Sequence, residues 1–219
     1  MKTETRVQKE RFNRFSVPLG LLDYVNPVFY SITMITIIRS LYPVMNPPYS
    51  RILLAGAVIS IFFGLIIPTG KVLVGLGIIR FRMPVSLVFC VNTGILLSGL
   101  MMIRTVLNLQ PAVLILLTAV ILAALAGIYS RSRKINTIAV LTGAAGYLLL
   151  YFSLITLSLQ KHAALPVVLY ALAIVLFVML CGIGIKADLK NPKVHWVIEI
   201  SNVLCQFFVA AATVILFSV

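Results

Sequence analysis

Residues 194–218 read VHWVIEISNVLCQFFVAAATVILFS. The run is longer than the about 20 apolar residues that an α-helix needs to cross a bilayer. It is not uniformly apolar. His195, Glu199, Asn202 and Gln206 follow one another at spacings of 4, 3 and 4 residues. At about 100° per residue they fall within an arc of roughly 60° and make one stripe about 16 Å long. The opposite face carries Trp, Ile, Val, Leu and Phe. Lipid cannot satisfy such a stripe, so it must face protein or water. The segment therefore reads as one span of a bundle with a partly polar interior.

The rest of the chain has the same character. Of 219 residues, 61% are hydrophobic and only 11% charged, against about 25% charged in an ordinary soluble domain. The mean hydropathy is +1.11. One soluble core of this size cannot hide so much apolar surface. Water-soluble, disordered and fibrous classes are excluded, and an all-α, polytopic membrane bundle remains. Seven apolar runs are read, at roughly 27–44, 51–68, 84–105, 111–129, 136–158, 165–185 and 194–218. Pro84, Pro111, Pro166 and Pro192 stand at or just before runs, where a missing N–H costs nothing. Asn26-Pro27 and Asn191-Pro192 read as cap-then-proline helix starts, and Asn136 as a cap of the fifth helix. The second run ends at Pro68-Thr69-Gly70-Lys71, and residues 72–79 are expected to lie at the interface or to re-enter. Connections are short, which predicts antiparallel packing of sequence neighbours. Small residues at Ala123, Ala124, Ala126 and Gly127, and at Gly143, Ala144, Ala145 and Gly146, are expected at close helix contacts.

A net charge of +13 would suggest nucleic acid in a soluble protein. In a membrane chain it marks the cytoplasmic face instead. The N-terminal tail holds Lys2, Arg6, Lys9, Arg11 and Arg14. The second, fourth and sixth connections hold Lys71, Arg80 and Arg82, then Arg131, Arg133 and Lys134, then Lys186, Lys190 and Lys193. The alternate connections hold Arg51, Arg104 and Lys161. This asymmetry predicts seven crossings of the cell membrane, N-terminus inside and C-terminus outside. Residues 1–17 read as a basic cytoplasmic tail and 18–219 as a single transmembrane domain. The tail lacks the pattern of a cleavable signal peptide. The partners expected are the bilayer, with acidic headgroups at the basic inner face, and a membrane protein or a second copy of the chain. Nucleic acid is not expected.

Ionisable groups inside a membrane are functional candidates. Glu199, one to two turns inside the inner boundary, is expected either to carry a proton or to pair with a cation. Asn202, Gln206 and His195 share its stripe, with interhelical bonding as the plainer reading. Asp23, Asn26 and Tyr30 share a face if the first helix extends back past Pro27. Asp23 then either caps that helix or borders the polar region of Glu199. Asn92 matches Glu199 in depth, which allows a shared pocket if spans three and seven touch. Arg39 is expected to reach for the outer boundary. Cys90, Cys181 and Cys205 lack paired spacing and read as small buried thiols.

Enzyme signatures are largely missing. There is no zinc His-Glu-x-x-His, no P-loop and no Gly-x-Ser-x-Gly elbow. His162 falls on the membrane face opposite His195, so no metal site is expected. No lysine follows Lys193, so a Schiff base on the last helix is excluded. No cofactor is expected. The favoured reading is a small transporter or channel, with Pro68-Thr69-Gly70 and Asn26-Pro27 as candidate helix breaks. The alternatives are an accessory, scaffold or sensor subunit, and a membrane enzyme acting on a lipid through His195 and Glu199.

Overall fold

The computed structural model describes residues 17–79, 84–132, 134–186 and 192–218. These residues form helices joined by short turns, with no strand among them. The helices are α1 (Val17–Asp23), α2 (Val25–Leu41), α3 (Pro47–Gly75), α4 (Val85–Val106), α5 (Pro111–Ser132), α6 (Ile135–Gln160), α7 (Ala164–Lys186) and α8 (Pro192–Ser218), with a 3-10 turn at Tyr42–Val44. Seven segments are long and apolar enough to cross a membrane, the first being α1 and α2 together. The protein is a multi-pass membrane helical bundle.

Two span boundaries differ from the sequence reading. The first helix starts at Val17, not Pro27, and only bends at Tyr24, whose backbone stays helical. The bend has a local cause: Pro27 has no N–H to return to the carbonyl of Asp23, four residues back. Asn26 is thus a helical residue and not a cap. The second helix does not end at Pro68. It runs unbroken to Gly75, with Pro68 buried inside it, so residues 72–75 belong to the span and 76–79 to a turn. A membrane helix tolerates an internal proline when neighbours and hydroxyls satisfy the freed backbone, and the Thr69 hydroxyl donates to the Leu65 carbonyl in the same turn. Asn191 lies outside the described residues, as does the tail through residue 16; Asn136 is not a cap, because the fifth span's helix starts at Ile135 with Lys134 in the capping position.

Packing is organised around α4. A Cβ on Gly94 would lie 2.5 Å from the carbonyl oxygen of Gly56, and one on Gly56 would lie 2.9 Å from Ser98 Oγ. The pairs Gly56/Ser60 and Gly94/Ser98, each four apart, therefore cross face to face, and α3 and α4 run antiparallel. Beyond α4, a Cβ on Gly99 would collide with the carbonyl of Gly146, and one on Gly146 would lie 2.5 Å from the backbone nitrogen of Leu96. With little hydrophobic drive between helices in lipid, such backbone approach supplies the packing attraction.

The main partners of α4 are thus α3 and α6, and α6 is not its neighbour in sequence. The intervening α5 lies outside, where Ala123, Ala124, Ala126 and Gly127 are exposed, against the expectation of close contact. Gly143 and Gly146 do lie at such a contact. Of the cysteines, Cys205 is buried while Cys90 and Cys181 are half-exposed. Arg39 is exposed in the last turn of α2.

Inter-helix contacts also fix the sense of the crossings. Asn26 meets Glu199 and Phe29 meets Phe207, so α2 and α8 rise together. Tyr24 meets Thr69 and Tyr30 meets Ser60, so α3 descends beside α2. The start of the first span, the end of the second and the start of the last therefore gather at one end of the bundle.

Candidate functional site

The site begins with a close approach. A Cβ on Gly20 would sit 2.9 Å from Val72 Cγ2 and 3.1 Å from the Val72 nitrogen. The missing side chain lets α1 lie directly on the last turns of α3, and Tyr24 ties the joint through a 2.7 Å hydroxyl bond with Thr69. One turn on from Gly20, Asp23 meets Lys71.

The Lys71 ammonium stands 2.7 Å from Asp23 Oδ2 and 3.0 Å from Glu199 Oε1. The Asn26 side-chain amide spans the other two oxygens, donating to Asp23 Oδ1 at 3.3 Å and to Glu199 Oε2 at 3.4 Å. Four side chains, from α1, α2, α3 and α8, thus close a ring. The charged members are secluded, with side-chain exposures of 11–12%. Two carboxylates facing each other unaided would be very costly in a medium of low dielectric. The ammonium between them and the shared amide make the arrangement tolerable.

The ring borders a cavity of about 180 Å³. Asp23, Asn26, Tyr30, Ser60, Tyr147 and Asn202 supply its polar and aromatic wall, and Pro27, Ile67, Val91 and Ile95 its apolar one. Ser60 Oγ bonds the Tyr30 hydroxyl at 3.2 Å. The Tyr30 and Tyr147 rings meet edge to face at 6.2 Å. The Asn26 Oδ1 atom is buried with no hydrogen-bond partner among the described residues. Past Tyr147 the interior is filled, with Leu150, Tyr151 and Leu154 fully buried.

The structure therefore brings Glu199, Asp23 and Asn26 into contact and sets Asn202 on the cavity wall. Gln206 is buried one turn further along, beside Tyr147. His195 is half-buried one turn before Glu199. The far face of α8 looks outward, with Val197, Ile200, Leu204 and Phe207 exposed.

Asn92 does not join the group. Its amide donates to the Ala139 carbonyl at 2.8 Å, and its side chain fills the space left by Gly143, so it clamps α4 to α6. Its face points to α6, which rotation about the helix axis decides and depth does not.

Sequence reasoning missed Lys71 as a site residue, counting it with the inner-face basic residues. A signal was present: apolar residues continue after it to Ile79, so the lysine interrupts an apolar segment and does not end it. Among the described residues, no group of three or more His, Cys, Asp or Glu lies close enough to hold a metal ion. The chain matches no known family, no curated protein and no solved structure.

Proposed function

We propose that this chain is a small transporter or channel of the cell membrane whose working site is the Asp23–Lys71–Glu199 ring and the cavity beside it. One observation carries the reading: charged groups from three separate spans meet at one buried place that borders a cavity with polar, aromatic and apolar walls. Intramembrane charges are costly, and proteins that keep them use them for solute or ion pathways. The bend at Tyr24 puts a helix joint at the same place, as carriers do where they bind substrate. The packed interior beyond Tyr147 favours a carrier that must change shape over an open pore. Lysine and arginine placement favours the cytoplasmic side for the cavity, near acidic headgroups. A lipid-directed acid–base role for Glu199 is less well supported, since Lys71 and Asn26 already occupy both of its oxygens.

The test is flux through purified protein in liposomes, screened over inorganic ions, amines, organic acids and sugars. At least one solute should move faster than through empty liposomes, and Glu199→Gln should slow it tenfold or more while the protein elutes as a folded species. Failure of the whole panel, or full flux in Glu199→Gln, would reject the proposal.

A further inference from the structure

The cavity has a chemical bias that narrows its occupant. Asn26 aims both its donor contacts at carboxylates, which leaves Oδ1 as a buried acceptor with no donor among the described residues. Such an atom is destabilising unless a donor reaches it. Asn26 lines the cavity together with Asp23, Tyr30 and Tyr147. Among the described residues the ring holds two carboxylates and one ammonium. An anion entering here would meet a carboxylate and an amide oxygen. A bare inorganic cation needs a close shell of oxygens, whereas much of this wall is aromatic or aliphatic. A volume of about 180 Å³ suits a molecule of about benzene's size or slightly larger, since a cavity of about 150 Å³ takes up benzene. Acceptors at one end, aromatic rings and an apolar wall are what an alkylated ammonium group requires.

We infer that the cavity between Asp23, Asn26, Tyr30, Ser60, Tyr147 and Asn202 binds a small organic ammonium compound of about six to eight non-hydrogen atoms. The inference rests on the transporter reading and names its substrate class. In the bound state the ammonium group lies toward Asn26 Oδ1 and Asp23, and its alkyl body lies against Val91 and Ile95.

The test is binding, measured apart from flux. Thermal unfolding of the full-length protein in detergent is followed with pentylammonium and piperidinium, whose N–H groups can donate to Asn26 Oδ1. The controls are 1-pentanol, the uncharged counterpart of pentylammonium, and propionate. Both ammonium ions should raise Tm saturably, and the controls should not. Asn26→Leu should weaken the apparent Kd about tenfold or more, as expected for one hydrogen bond to a charged group. Val91→Phe, which fills the cavity from another helix, should abolish the shift even if Asn26→Leu folds poorly. No shift with either ion, an equal shift with 1-pentanol, or a shift that survives Val91→Phe would overturn the inference. The two readings fail separately. Ammonium binding without flux of any solute would remove the transporter and keep this site. Glu199-dependent flux of another solute, without ammonium binding, would do the reverse.

Discussion

Replacing Lys71 by Met is the sharpest perturbation of the buried ring. The substitution keeps the side chain out to Cε and deletes the ammonium between Asp23 and Glu199. At 2.7 and 3.0 Å each attraction is worth roughly 6 kcal/mol at an effective dielectric of about 20, before desolvation. The two carboxylates repel each other, and desolvation offsets much of the rest. What remains is the penalty for leaving carboxylates buried without their cation, about 3–5 kcal/mol. Glu199→Gln should cost less, about 1–2 kcal/mol, because Lys71 keeps Asp23 and the new amide can still meet Asn26. The decisive variant is the triple Asp23→Asn, Lys71→Met, Glu199→Gln. It has no buried charge left in the ring and should recover to within about 1 kcal/mol of the parent. The assay is reversible unfolding in mixed micelles by titration with a denaturing detergent. A neutral Lys71→Met, or a triple variant as unstable as Lys71→Met, would refute the electrostatic account. Flux should be lost in the triple even where stability returns.

Other expectations follow from the packing and the charge pattern. Gly146→Val should weaken the α4–α6 contact by about 1–3 kcal/mol or more, since even a Cβ at that position overlaps the Leu96 backbone, and the same unfolding titration would register it. Asn92→Leu should cost about 0.6–2 kcal/mol through loss of the bond to Ala139 and leave flux of any transported solute within about twofold, because Asn92 lies outside the cavity wall. Cysteine labelling in intact cells should find the N-terminal tail protected and the C-terminal end reactive to impermeant reagents, and both ends in one compartment would contradict the seven-crossing arrangement.

Some of this protein could be read from its chain directly. Spans of about 20 apolar residues are a solvation requirement that each segment meets alone, so all seven were legible without knowledge of their neighbours. The stripe from His195 to Gln206 was legible for a similar reason, because helical periodicity alone places its members on one face. Small residues were less informative. Gly143 and Gly146 lie at a crossing while Ala126 and Gly127 face outward, yet the two clusters look alike in sequence. A gap in a side-chain surface becomes a contact only if another backbone arrives to fill it.

Tertiary structure decided the rest. Lys71 and Glu199 lie 128 residues apart, and the apolar residues that follow Lys71 place it inside a span without distinguishing a lysine that meets carboxylates from one that does not. The difference depends on whether two carboxylates stand within 3 Å, which in turn depends on Gly20 admitting α3 and on α8 lying beside α2. Rotation about each helix axis, which periodicity leaves open, turned Asn92 toward α6 and Asn26 toward the ring. The sequence by itself determined which segments enter the membrane and which face of the last one is polar. Only the packing of distant helices determined which charges meet, because a buried ion pair is stable through partners that other spans supply.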